Sequence, residues 1–247
     1  MSWSVVIPAR LASTRLPNKM LLDIDGQPLI AHTVQRALST SASEVVVATD
    51  HEEIAAALSD YDCEVIMTSA HHESGTDRLA EVVDIKSWSS DHVVVNVQGD
   101  EPLIPEQLIE SVASTLSGAD DASVVMATAA KAILEEAAIA DPNVVKVVVN
   151  KLGNALYFSR SVIPFARDQR LGSVYHHIGI YAYRAGFLRR FAALPPSDLE
   201  RTESLEQLRV LDHGHNIKVH IVDYDTGIGV DTQQDLDVVR RMVSSQN

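Results

Sequence analysis

Four short segments of the chain are apolar at nearly every position: Ser4-Val5-Val6-Ile7, Glu44-Val45-Val46-Val47-Ala48, Glu64-Val65-Ile66-Met67 and Val93-Val94-Val95-Asn96-Val97. A strand with one wet face alternates apolar and polar residues, so these continuous β-branched runs predict parallel strands covered on both faces. Between them, residues 28–40, 51–60 and 74–86 have helical character, with Asp50 placed to cap the second helix. This alternation predicts a doubly wound α/β sheet whose ligand lies beyond the carboxyl ends of its strands.

The second half reads differently. Residues 143–149, 155–160 and 177–183 predict antiparallel strands, either added to the sheet or forming a small lobe, with a turn at Lys151-Leu152-Gly153. Helices are predicted at about 185–193 and 199–213, a strand at 217–222 and a last helix from about 232. No Pro-, Gly- or Ser-rich linker and no internal repeat divides the chain.

Composition then restricts what such a fold does. With 247 residues, 46% hydrophobic and 22% charged, the chain buries a substantial core, as one large domain or a domain with an appendage. A net charge of −14 and a pI near 5.0 argue against nucleic acid or an anionic membrane as partner. The lone Cys63 excludes an internal disulfide and reads as a small hydrophobe or a thiol, which fits the cytoplasm. The segment MSWSVVIPAR has no basic leader, and no run reaches the roughly 20 apolar residues that span a bilayer.

Against this acidic background, IPARLASTRLPNK (7–19) is a local reversal. Arg10, Arg15 and Lys19 stand in a stretch from Met1 to Leu22 that has no carboxylate, directly after the first predicted strand. Guanidinium forks and loop amides there suit phosphate oxygens, and a triphosphate is the natural guest; the alternative is a solvated loop with scattered charges. The pattern is neither the Walker sequence nor the dinucleotide glycine fingerprint.

This stretch, with TSAHHESGTDRLAEV (68–82), NVQGDEPLIP (96–105), ALYFSR (155–160), HHIGIYAYR (176–184), SLEQLRVL (204–211) and GVDT (229–232), resembles the 3-deoxy-manno-octulosonate (Kdo) cytidylyltransferases, from about residue 4 to 240. The resemblance implies a Rossmann-like nucleotidyltransferase domain over 1–247, with about 1–130 holding the nucleotide and about 140–225 the sugar and a homodimer contact. It implies transfer of CMP from CTP to Kdo, an eight-carbon 3-deoxy sugar acid, with Mg²⁺, for lipopolysaccharide synthesis. The 8-amino analogue of the sugar and a non-catalytic nucleotide-binding module are the alternatives. The chain departs from the family at LPNKML, where LPGKPL is usual, so that Asn18 and Met20 replace Gly and Pro. It also departs in a short 165–176 segment.

The other motifs carry readings of their own. Asp100, at a predicted strand end after a glycine, is a natural Mg²⁺ ligand or else a turn or cap residue. Asp231 is equally a helix cap; the resemblance assigns both to the catalytic metal, and Lys19 and Arg15 to catalysis. Ser74, Gly75 and Arg78 stand where a helix begins, and the resemblance puts cytosine there, alongside Ala9, Arg10 and Ser13 for the nucleotide; alone, Ser74 is a plain N-cap. Gln98 belongs to the sugar by resemblance, or is a polar strand terminus. Arg160 and Arg167 are candidates for the sugar carboxylate. His177 and Tyr181, four apart in a strand, share a face across Gly179, as a sugar wall or as structural residues. Glu203, Glu206 and Gln207 have the spacing of one helical face, sugar-binding or solvated. His71-His72 and His176-His177 have no zinc spacing, and no zinc is assigned.

Overall fold

The computed structural model describes residues 2–13, 15–72, 74–167 and 173–245. Its elements begin with β1 (Trp3–Ala9), a 3-10 turn (Lys19–Leu21), the hairpin strands β2 (Asp23–Ile24) and β3 (Gln27–Pro28), α1 (Leu29–Leu38), β4 (Glu44–Thr49), α2 (Glu52–Ala57) and β5 (Glu64–Met67). There follow α3 (Gly75–Ile85), β6 (Val93–Asn96), α4 (Glu106–Ser117), β7 (Val124–Ala132), α5 (Glu136–Ala140), β8 (Lys146–Val149), β9 (Ala155–Ser159) and β10 (Tyr175–Arg184). The chain closes with α6 (Ala185–Phe191), α7 (Asp198–Glu203), α8 (Gln207–Asp212), β11 (Asn216–Val222) and α9 (Gln233–Ser244).

Among the described residues these strands build a nine-stranded sheet in the order β11-β7-β10-β6-β1-β4-β5, with β8 and β9 attached through β10. The four runs named above are β1, β4, β5 and β6, and they are parallel: β1 lies between β4 and β6, and β4 pairs with β5. Alternate residues feed two cores. Val5, Ile7, Val45 and Val47 pack on one face with helices α1 and α4, while Val6, Val46, Ala48 and Val94 pack on the other with α3 and α6. Both faces are therefore covered, which is why these strands carry no polar alternation.

β10 runs antiparallel between β6 and β7, and β8 and β9 extend it as an antiparallel pair. The sheet is thus mixed and mostly parallel, with small extra strands. Two expectations need correction. His51, not Asp50, caps α2, its Nδ1 accepting from the Glu53 amide at 3.3 Å. The helix expected over 199–213 is two helices, α7 and α8, because Ser204 adopts φ 53° and ends α7. Cys63 is half-buried against the core, and burial together with Asp62 pushes its thiol up. Among the described residues no helix is long and apolar enough to cross a membrane.

Candidate active site

Beyond the carboxyl ends of β1, β5 and β6 the loops enclose a cleft of about 250 Å³. The loop after β1 brings Ala9, Arg10, Ser13 and Arg15 to its lining and ends in the Lys19–Leu21 turn. Asn18, just before that turn, has φ 52° and ψ 32°, a left-handed conformation that Asn tolerates better than most side chains. The Leu21 amide closes the turn on the Asn18 carbonyl at 2.9 Å. The shape that a glycine would give at this position is therefore present.

Lys19 is the centre of the charge cluster. Its side chain is only 8% exposed, and its Nζ donates to Asp100 Oδ2 at 2.5 Å and to Asp231 Oδ1 at 3.2 Å. Arg15 adds a second cation at 3.1 Å from Asp231 Oδ1. Two acidic residues distant in sequence thus face one positive group.

The backbone explains how they meet. Asp100 follows Gly99, where a Cβ would stand 3.0 Å from Ile30 Cδ1 and 3.1 Å from both Met20 Sδ and the Pro8 carbonyl oxygen, so glycine lets this turn lie against the end of β1 and the Lys19–Leu21 turn. Buried Thr33 on α1 donates to the Gly99 carbonyl at 3.0 Å, and the Val230 amide donates to the Asp100 carbonyl at 2.8 Å. That last bond brings the loop before α9 to the end of β6. Thr232 takes the capping position of α9, in a reciprocal pair with Asp235, which leaves the Asp231 carboxylate to the cleft. Glu101 lies beside this cluster: burial first, then the negative charges of Asp100 and Asp231, push its carboxyl up to about 7 against the opposing pull of Lys19.

The N-terminus of α3 forms another wall. Ser74 is both its cap, paired with Asp77, and a lining residue, as is Gly75. Arg78 also lines the cleft, but its guanidinium is already engaged, Nη2 donating to Asp50 Oδ2 at 2.9 Å and Nη1 to Thr68 Oγ1. Asp50 therefore anchors Arg78 rather than α2. Gln98 completes the set of expected residues that line the cleft.

The remaining candidates lie outside this lining. Arg160 gives its guanidinium to the carbonyls of Glu203 (2.8 Å), Pro142 (3.1 Å) and Ser204 (3.5 Å). Arg167 is exposed, next to 168–172, which fall outside the described residues. His177 is buried, its Nε2 at 3.0 Å from Thr128 Oγ1, and burial, with His176 adding to it, pulls its pKa down to about 3, so the ring is neutral. His177 and Tyr181 do share a face, with ring centroids 5.5 Å apart; burial, and to a lesser degree Glu206, pushes the Tyr181 hydroxyl up. Glu203, Glu206 and Gln207 do not share one helical face, because of the break at Ser204. Glu203 accepts from Ser159 Oγ (2.5 Å) and the Arg160 amide (2.9 Å), whereas Glu206 accepts from Thr76 Oγ1 of α3 at 2.5 Å. Gln207 is buried, and among the described residues its Nε2 has no partner. Sequence reasoning weighs His72 only as a zinc ligand and passes over Glu101; His72 lines the cleft, and its sequence signal is its place two residues before a helix cap.

A mixed α/β sheet with a cationic loop after its first strand, facing two carboxylates at strand and helix ends, defines a nucleotidyltransferase-type site. A cytidylyltransferase family model matches residues 4–217, and the chain belongs to that family. It is 50% identical to the 3-deoxy-manno-octulosonate cytidylyltransferase of Tolumonas auensis, over 99% of this chain and 98% of that one. It is 48% identical to the enzyme of the same name from Yersinia enterocolitica, over 98% and 99%. Among solved structures, a CMP:2-keto-3-deoxy-manno-octonic acid synthetase complexed with CTP superposes with a TM-score of 0.92 at 44% identity, covering 100% of both chains. A Leptospira borgpetersenii cytidylyltransferase, 16% identical, shares the fold with a TM-score of 0.66, covering 99% of this chain and 87% of that one.

Proposed function

We propose that the protein transfers the cytidylyl group of CTP to the anomeric 2-hydroxyl of 3-deoxy-manno-octulosonate, forming CMP-Kdo and pyrophosphate for lipopolysaccharide synthesis. The observation that carries this reading is the Lys19 ammonium held between Asp100 and Asp231 in a cleft lined by Arg10 and Arg15. Such a site gathers anionic and cationic groups around one point, as phosphoryl transfer requires.

The sugar oxygen attacks the α-phosphorus in line; its bond to phosphorus forms as the bond to the β-phosphate oxygen breaks, pyrophosphate leaves, and the hydroxyl proton passes to solvent. Arg10, Arg15 and Lys19 hold the triphosphate and neutralise the charge that develops on the leaving group. Amides at the start of α3, with Ser74 and Gly75, receive the nucleoside, and Arg78, fixed by Asp50, shapes that end. Gln98 and Glu206 are the polar groups offered to the sugar, with Gln207 and Tyr181 behind them; Arg167 is the cation left for its carboxylate, since Arg160 is committed to three carbonyls, and Glu203 positions Arg160.

Mg²⁺ fits the donor set, because a hard cation that keeps several waters and takes phosphate oxygens needs only one or two protein carboxylates, and Asp100 and Asp231 already enclose a positive group. Held there by Asp100 and Asp231, such an ion would supply charge neutralisation and Lewis acidity toward the attacking hydroxyl. The exposed apolar side chains of Leu134, Leu156 and Phe165 support a homodimer contact in the second half of the chain. A cytoplasmic setting accords with CTP as substrate.

The test is product formation by the full chain with CTP, UTP, ATP or GTP, each with Kdo or its 8-amino analogue, followed by phosphorus NMR. CMP-Kdo and pyrophosphate from CTP, dependent on Mg²⁺, are expected. Pyrophosphate release that ignores the sugar, or turnover with a purine nucleotide in preference to CTP, would overturn the proposal.

A further inference from the structure

Helix α9 and the segment that follows the cationic loop meet twice. The first meeting is in the cleft, where Asp231, just before α9, faces Lys19 at 3.2 Å. The second lies further along both segments. Arg240, in the second turn of α9, donates from Nε at 2.9 Å and from Nη2 at 2.7 Å to the carbonyl of Asp23, in β2 shortly after the Lys19–Leu21 turn. Two arms of the guanidinium fork thus close on one oxygen, which has two lone pairs to receive them. The third arm, Nη1, lies 3.9 Å from Asp237 Oδ1 on the same helix.

Local structure explains why that oxygen is available. Leu22 gives its carbonyl to the Leu29 amide at 2.9 Å, at the base of the β2–β3 hairpin. Successive carbonyls of a strand point to opposite sides, so the carbonyl of Asp23 turns away from β3 and out of the hairpin. Leu236 and Val239 are the buried residues of α9 and fix the face it lays on the core. Arg240, next to Val239, reaches from the flank of that face to the hairpin.

The helix carries this constraint to the cleft. Asp235 accepts from the amides of Asp231 at 3.1 Å and Thr232 at 2.8 Å, which ties the residue bearing the cleft carboxylate to the first turn of α9. Lys19, β2, Arg240, α9 and Asp231 therefore form a closed ring, with the Lys19–Asp231 contact as one link and the Arg240–Asp23 contact as the other. The Asp231 side chain is 52% exposed, and a solvated ion pair contributes little by itself. Its geometry depends on what holds the two segments at the right spacing, because closing one contact raises the effective concentration for the other.

We propose that Arg240, which lies outside the cleft lining, is a positioning residue for the transfer: its grip on the Asp23 carbonyl holds the head of α9 so that Asp231 meets Lys19. The inference rests on the cytidylyl transfer proposed above and goes beyond it in giving α9 a part in the reaction. Asp231 is a Mg²⁺ donor in that reading, so loosening the helix weakens the hold on the ion as well.

The experiment removes the grip but keeps the stem in Arg240→Met, and returns one donor in Arg240→Lys, each alone and combined with Asp231→Asn. Melting in chelator, without nucleotide, reads the geometry apart from activity. Arg240→Met should lower Tm by a few degrees alone and by less than half as much beside Asp231→Asn, because the link it supports is already cut. A merely structural arginine would cost the same in both backgrounds. In turnover, the Mg²⁺ concentration for half-maximal rate should rise roughly fivefold to tenfold in Arg240→Met, with kcat at saturating Mg²⁺ within about twofold of wild type. Arg240→Lys should recover most of the difference. Equal melting losses in the two backgrounds, or an unmoved Mg²⁺ requirement, would overturn the proposal and leave the function standing. If the wild type forms no CMP-Kdo, the function falls, and the melting cycle alone decides for or against Arg240.

Discussion

Replacing Lys19 by Met keeps the length and the apolar stem of the side chain and removes only its charge. In the structure that charge makes a 2.5 Å contact to Asp100 and a 3.2 Å contact to Asp231, whose side chain is 52% exposed. A hydrogen bond to a charged group contributes about 1.5–3 kcal/mol, and the solvated Asp231 contact adds less. The variant also leaves the Asp100 and Asp231 carboxylates facing each other with only the exposed Arg15 guanidinium beside them, on Asp231. A net loss of about 2–3 kcal/mol follows, which for a chain of this size lowers Tm by roughly 5–10 °C. The same reasoning fixes what restores it. If Asp100 and Asp231 form a cation site, Mg²⁺ binds the variant's folded state and recovers stability as RT ln(1 + [Mg²⁺]/Kd), about 2.7 kcal/mol at a hundredfold excess over Kd. The assay is thermal melting in chelator and across a Mg²⁺ series, without nucleotide, for Lys19→Met and for Lys19→Met combined with Asp231→Asn. The first should regain its Tm with Mg²⁺ and the second should not, while turnover of both falls by roughly a hundredfold or more. A Lys19→Met melting curve equal to wild type in chelator, or one indifferent to Mg²⁺, would refute the argument.

Two further outcomes follow from the same geometry. Asn18→Gly should behave as wild type, whereas Asn18→Val, a β-branched residue at φ 52°, should cost about 1–2 kcal/mol and raise KM for CTP; equal behaviour of the two variants would show that the left-handed turn is unimportant. His177 has its pKa lowered by burial to about 3 from 6.5, so the stability it contributes is complete above pH 6.5 and is lost as pH falls toward 3. Between pH 6.5 and 4.5, urea unfolding of His177→Gln should therefore lose roughly 2–3 kcal/mol less than that of wild type, and parallel losses would place the titration elsewhere.

The parallel strands are legible because each is covered on both faces, so Val5, Val6 and Ile7 are all apolar and β-branched but for their alternate destinations. β7 is not legible: Ala127, Ala129 and Ala130 carry no strand preference, and its place is set by the neighbours β10 and β11. α4 escapes a reading that stops at Pro105, although Leu108, Ile109, Val112 and Leu116 keep helical spacing. The turn at Ser204 is hidden because serine carries no signal for φ 53°; it moves Glu203 to Arg160 and leaves Glu206 to α3.

In the site, the cationic loop is legible from local charge reversal alone, since Arg10, Arg15 and Lys19 stand within ten residues of one another. The meeting of Asp100 with Asp231 is legible only through the family resemblance, because it depends on the Val230 amide bonding the Asp100 carbonyl across the sheet end. The same holds for Arg78, whose partner Asp50 lies in another loop.

The central claim is a single in-line displacement at the α-phosphorus, with this chain's residues positioning CTP and the sugar acid and forming no covalent intermediate. It is tested most directly by the stereochemistry of turnover with one diastereomer of CTP carrying sulfur at the α-phosphorus, with the configuration of the thio-CMP-Kdo product read by phosphorus NMR. The account predicts inversion, the outcome of one displacement. Retention would require two displacements and a cytidylylated enzyme, and would contradict it.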